Sequence, residues 1–253
     1  MASDRLAGLG PLVAAPSPLI PSPSVPTECR LGVLAFGDSI TNAGGELQWG
    51  VALHSWALWV ARGLGLPFTS YAADGAAVSD VIGLQIPAFE RVTANPAARY
   101  EVGCAYIGVN DVRGPAWDRE AFAHEHRRLL EFLTARCDRT LAVTAPLRLG
   151  VPPAGAKVAE LDAAIEANAW QAGALIVDLS TFGARNFVMA DRVHPTAFGQ
   201  VSIAERALAV LARDGLPTRV QPASLVRYET TRVGRLRGDL AYAYGYAKQL
   251  RAH

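Results

Sequence analysis

Short apolar runs alternate with longer stretches of helical periodicity from Arg30 to about residue 213, and this alternation narrows the fold more than any other feature. The runs at 31–36, 67–72, 101–108, 140–145 and 174–179 are each followed by turn-prone residues, so they read as strands buried on both faces. Helical stretches near 50–64, 78–93, 118–136, 157–172 and 196–213 separate or follow them. The third is the clearest: Asp118 can cap it, and Phe122, Leu129, Leu130, Phe132 and Leu133 form an apolar stripe beside Arg and Glu. Gly215 and Pro217 end the last. Repeated βα units of this kind build a parallel sheet with helices on both faces.

Ligands of such a sheet bind beyond the carboxyl ends of its strands. Gly37-Asp38-Ser39-Ile40-Thr41 follows the first run, Gly75 the second, and Gly108-Val109-Asn110-Asp111 the third. Topology, not sequence spacing, brings them to one edge. A serine hydroxyl is a weak nucleophile, so it needs a neighbouring base and a third group to hold that base. His194 and Asp191 suit these roles, because a spacing of three lets both side chains emerge from one turn, and Pro195 biases His194 away from helical geometry. Attack on an ester also builds negative charge on the carbonyl oxygen. The backbone N–H groups of Ser39 and Gly75 and the side-chain amide of Asn110 can receive it. Asp38 and Asp111 flank the site and read as loop ties through backbone hydrogen bonds.

These four blocks resemble the GDSL-type esterases and lipases, the SGNH hydrolase family, with Ser39, Gly75, Gly108-Val109-Asn110-Asp111 and Asp191-Arg192-Val193-His194 in family order over roughly residues 31 to 213. The resemblance implies an α/β fold: a flavodoxin-like three-layer α/β/α sandwich of about five parallel strands. It further implies hydrolysis through an acyl-enzyme without metal or cofactor, a triad of Ser39, Asp191 and His194, and an oxyanion hole of Ser39, Gly75 and Asn110. One departure is that the family often carries Asn a few residues before the second-block glycine, where this chain reads Ser70-Tyr71-Ala72-Ala73-Asp74-Gly75. An acyltransferase could use the same triad to pass the acyl group to a sugar or another alcohol. A non-catalytic binding protein could keep the fold, and the complete set of Ser39, Asn110, Asp191 and His194 speaks against it.

Pocket shape depends on segments 42–50, 112–117 and 147–156. Trp49 and Trp117 are candidates to line it, and so is His54, read as opening a helix near the serine loop. Trp56 and Trp59 read as core. His124 and His126, two apart on a helix, do not face one another as a metal pair would. Without a long apolar lid segment, short acyl groups are the expected substrates, carried on a small molecule or a glycan.

A chain of 253 residues suits one such domain, and its formal charge of +1 gives no electrostatic case for nucleic acid. Cys29, Cys104 and Cys137 lack the spacing of a disulfide framework or zinc site. No apolar run reaches the length of a membrane span and the N-terminus makes a poor signal peptide, so the expected location is cytoplasmic. Residues 1–29, rich in Pro and Ser, read as a flexible leader, with the hydrolase domain at 30–218. Residues 219–253 form a basic, Tyr-containing arm whose period-two tyrosines suggest a strand while Leu240, Tyr244 and Ala247 fit a helix. Such an arm can pack on the domain, pair with a second subunit as a homodimer, or present a surface to anionic lipid or glycan.

Overall fold

The structure, a computed structural model, describes residues 31–45, 51–93, 95, 98–226 and 231–251. Its strands are β1 (Val33–Gly37), β2 (Phe68–Ser70), β3 (Tyr100–Tyr106), β4 (Cys137–Val143) and β5 (Leu175–Val177). They form one parallel sheet in the order β2-β1-β3-β4-β5, which is the flavodoxin-like order. Every residue of β1 and of β3 is buried, which is why neither alternates: β1 is apolar throughout, and β3 is interrupted only by Glu101, whose carboxylate accepts the Gly32 N–H at 2.7 Å.

The helices are α1 (Trp56–Leu64), α2 (Val78–Asp80), α3 (Ile86–Val92), α4 (Val109–Arg113), α5 (Arg119–Arg136), α6 (Ala156–Ala172), α7 (Ala197–Arg213) and α8 (Arg232–Arg251). The step from β1 to β2 runs one way across the sheet, and every later step runs the other way. Right-handed crossovers therefore put α1 on one face and α3, α5 and α6 on the opposite face. Helix pairing agrees: α1 packs against α7, and α5 against α6.

Local chemistry sets the helix ends. Asp118 caps α5 by accepting from the N–H groups of Glu120 and Ala121 at 2.9 and 3.1 Å. The first helix begins later than its apolar pattern suggests, at Trp56, because Ser55 takes the Ala57 N–H and acts as its cap. His54 therefore precedes the helix instead of opening it. The stretch expected at 78–93 is helical but not uniform, since a π-helical turn at Val81–Gln85 joins α2 to α3. Beyond α7, the N–H groups of Arg219 and Val220 both donate to the Gly63 carbonyl, so the packed chain runs on past residue 218. The arm itself is helical as α8. The expected leader, together with Cys29 and Trp49, lies outside the described residues.

Candidate active site

Strands β1 and β3 are neighbours on either side of the point where the strand order reverses, the place at which open α/β sheets bind ligands. Ser39 lies two residues beyond β1 and Asn110 four beyond β3, with Gly37 and Tyr106 in register. The tight exit from β1 requires glycine at 37. A Cβ there would stand 2.4 Å from the Tyr106 carbonyl oxygen and 2.6 Å from Thr41 Oγ1.

Two buried glutamines hold the serine loop, one from each face of the sheet. Gln85, in the π-helical turn, accepts from the Gly37 N–H at 3.1 Å and donates to the Gly37 carbonyl at 2.8 Å. Gln200 of α7 accepts the Trp56 N–H at 2.8 Å and donates to the carbonyls of Ile40 at 2.9 Å and Gly44 at 3.4 Å. Neither residue was singled out from the sequence. The available signal was a lone glutamine within an apolar helical stretch, which reads equally well as a solvated position.

The histidine arrives on a tight turn. Val188 and Pro195 form an antiparallel bridge, and the Met189 N–H donates to the His194 carbonyl at 2.9 Å. Arg192, at φ 54°, occupies the left-handed region that non-glycine residues seldom adopt, at a cost of order 1–3 kcal/mol. This bend lets Asp191 Oδ1 accept from the N–H groups of Val193 and His194, at 2.9 and 3.1 Å. Its other oxygen, Oδ2, lies 2.7 Å from His194 Nδ1, and His194 Nε2 lies 2.9 Å from Ser39 Oγ. One continuous hydrogen-bonded path thus joins Asp191, His194 and Ser39. All three are half-buried.

Charge on this path is tuned by its surroundings. The Asp191 hydrogen bond raises His194 above its ordinary range; burial opposes the rise, Asp38 adds to it and the Arg113 guanidinium opposes it. Burial pushes Asp191 up, but the hydrogen bonds from His194 and Val193 outweigh it and hold the carboxylate below its usual range.

Gly75 sits at φ 75° in an exposed turn, a conformation that suits glycine. Asn110, on α4, donates from Nδ2 to the Ala76 carbonyl at 3.0 Å, tying this turn to β3. The Val78 N–H donates to Asp111, with the two carboxylate oxygens at 3.1 and 3.2 Å, and fixes the same turn from below. Asp38 is fully buried. Its Oδ1 accepts the Ile40 N–H at 2.9 Å, while Oδ2 has no hydrogen-bond partner among the described residues. Both acids thus tie loops. Of the pocket candidates, Trp117 donates from Nε1 to Glu160 at 3.0 Å and packs on Phe122, and the His54 ring packs edge-on against Trp59. Neither is joined to Ser39 by a hydrogen bond.

Burial pushes Asp38 up to about 7, against the opposing Ile40 N–H and His194. The folded protein then keeps this proton to higher pH than the unfolded chain, so the stability is present below pH about 4 and is lost as pH rises through about 7. The loss amounts to at most about 4 kcal/mol. Asp38→Asn should flatten this part of the stability profile, measured by urea unfolding at a series of pH values. An unchanged slope would mean that Asp38 is not its source.

Among the described residues, no group of three or more His, Cys, Asp or Glu side chains could hold a metal ion. His126 is buried and kept neutral by burial, its pKa lowered to about 4, with its ring stacked on Phe122 and Nδ1 3.4 Å from Asn168. No described helix is long and apolar enough to cross a membrane.

Comparison with known proteins agrees with this architecture. No curated protein matches the chain. Among solved structures, it is similar to Axe2, an acetylxylan esterase from Geobacillus stearothermophilus, with a TM-score of 0.55 and 18% identity over 73% of this chain and 95% of the other. It is also similar to LAE5, an alpha/beta hydrolase enzyme from the metagenome of Lake Arreo, with a TM-score of 0.56 and 19% identity over 73% of this chain and 96% of the other. At such identity the shared property is the fold. The sequence itself matches the GDSL-like Lipase/Acylhydrolase family over residues 35–201. This span begins inside β1 and ends in α7, taking in all four motifs, and the chain accordingly belongs to that family of esterases.

Proposed function

We propose that this esterase cleaves short acyl esters through an acyl-enzyme on Ser39, and the observation that carries the reading is the unbroken path from Asp191 through His194 to Ser39. His194 Nε2 takes the hydroxyl proton as Oγ bonds to the ester carbonyl carbon, and Asp191 holds the resulting imidazolium. The carbonyl oxygen, now an anion, is received by the N–H groups of Ser39 and Gly75 and by the Asn110 amide. His194 then gives its proton to the departing alkoxide, leaving the acyl group on Ser39. Water, deprotonated by the same imidazole, releases the acid and restores the serine.

Acetylated sugars are the first substrates to test, because the Geobacillus neighbour is an acetylxylan esterase and the expected preference is for short acyl groups. The decisive experiment is labelling with a fluorophosphonate followed by peptide mapping, with modification expected on Ser39 alone. Modification elsewhere, or none, would overturn the assignment. Incubating the enzyme with a short-chain ester and candidate sugar acceptors distinguishes release to water from acyl transfer.

His194 must be neutral to act as base, so kcat/KM should rise with pH as the imidazolium loses its proton. Arg113 sits one helical turn after Asn110, exposed and in no ion pair among the described residues, and its charge disfavours the imidazolium. Arg113→Gln should therefore move the acid limb of the pH profile to higher pH, by an amount that shrinks as salt is added. A shift to lower pH would contradict the sign.

A further inference from the structure

Helix α8 is a twenty-residue element with no buried residue. The half-buried positions Gly234, Tyr242, Gly245, Tyr246 and Gln249 recur on one face, which leans on the segment leading into Asp191 and His194. There Arg185 pairs with Asp239 and lies over the Tyr242 ring at 5.1 Å, while Arg192 lies over the Tyr246 ring at 5.5 Å. A Cβ on Gly245 would come within 3.1 Å of Ala190 Cβ, so the helix backbone approaches the body closely at this glycine.

The opposite face is apolar and open. Val233, Leu236, Leu240 and Tyr244, at helical spacing, are exposed by 62%, 59%, 62% and 74%. Cations stand within about one or two turns of this stripe on the same surface: Arg232 is four residues before Leu236, Arg237 four after Val233, and Arg251 seven after Tyr244. None of these three is in an ion pair among the described residues. The single acid of the helix, Asp239, is engaged by Arg185. A chain with a formal charge of +1 thus concentrates five cations and one acid in this helix.

We propose that α8 lies in the plane of an anionic lipid surface and docks the protein there. Such a surface accepts both components: the apolar stripe sinks into the boundary between headgroups and acyl chains, and the long basic side chains reach out to lipid phosphates. Charge argues against a second copy as the occupant. Pairing two such faces would bring cations against cations, with no acid on either face to separate them. The docked helix would hold the Asp191–His194 turn on its far side, about one helix diameter from the lipid.

The test is cosedimentation of the full chain with vesicles of phosphatidylcholine alone or mixed with phosphatidylglycerol. Binding is expected to the mixed vesicles and to weaken with salt. Replacing Leu236, Leu240 and Tyr244 together by serine should abolish it, and Arg232→Gln with Arg237→Gln and Arg251→Gln should lower partitioning by roughly 100-fold. Both variants should hydrolyse a soluble short-chain ester at the parental rate, because none of these residues touches the site. Equal binding to both kinds of vesicle would overturn the proposal. Full binding by the serine variant would also overturn it, because attraction to any polyanion, such as an acidic protein, would then suffice. So would a dimer in analytical ultracentrifugation that the serine variant dissociates. None of these readouts requires catalysis, so they fail or succeed independently of the role given to Ser39.

Discussion

Ser39→Ala is expected to lower kcat on a short-chain ester by roughly 10⁴–10⁶-fold and to leave the melting temperature within about a degree of the parent. The first half follows from covalent chemistry: without Oγ no acyl-enzyme forms, and what survives is binding and charge stabilisation acting on water. The second half follows from how the loop is held. Its anchors are the backbone groups of Gly37, Ile40 and Gly44, all engaged by glutamine side chains, and none depends on the serine hydroxyl. The Ser39 hydroxyl contributes one hydrogen bond, to a half-exposed histidine. Turnover within tenfold of the parent in a clean preparation would remove Ser39 from the mechanism. A large fall in melting temperature would show instead that the hydroxyl is structural.

Asn110→Ala should lower kcat by about 10²–10³-fold, or roughly 3–4 kcal/mol of transition-state stabilisation. The amide already spends one N–H on the Ala76 carbonyl, which fixes its rotamer and leaves the second free for an oxyanion. Removing it also takes away one of the two ties on the turn that carries Gly75, the other being Asp111 to the Val78 N–H, so two of the three proposed donors are disturbed by one substitution. Steady-state kinetics on a short-chain ester would separate the readings. A rise confined to KM would make Asn110 a substrate contact only, whereas a fall in kcat with little change in KM is the mark of a group that acts in the transition state.

The strands were legible because a parallel strand buried on both faces must be largely apolar, as β1 is throughout and β3 is apart from Glu101, whose carboxylate accepts the Gly32 N–H. The long helices were legible from their stripes and from Asp118. By contrast, α4 is only five residues long, too short for periodicity to register, and so the sequence placed Asn110 after a strand without showing that it sits on a helical turn. The π-helical turn was equally silent, since one extra residue per turn leaves composition unchanged. In α8, tyrosines at 242, 244 and 246 imitate a strand while the 3.6-residue pattern runs through the same positions, and local sequence could not rank the two. Ser39, His194 and Asp191, which the structure joins by hydrogen bonds, could be grouped from motifs alone because the chemistry proposed for them demands particular residue types. Gln85 and Gln200 could not, since what identifies them is burial against a backbone distant in sequence.

Those two glutamines bear on how the enzyme should wear out. Each reaches the serine loop from a helical segment on a different face of the sheet, so Gly37, Ile40 and Gly44 are held from both sides. To displace Ser39, heat must first pull away one of the outer layers, and that step exposes the core. Loss of activity on warming is therefore set by the integrity of the whole sandwich. Stabilising work is better aimed at the contacts of α7 and of the π-helical turn than at the loop that carries Ser39.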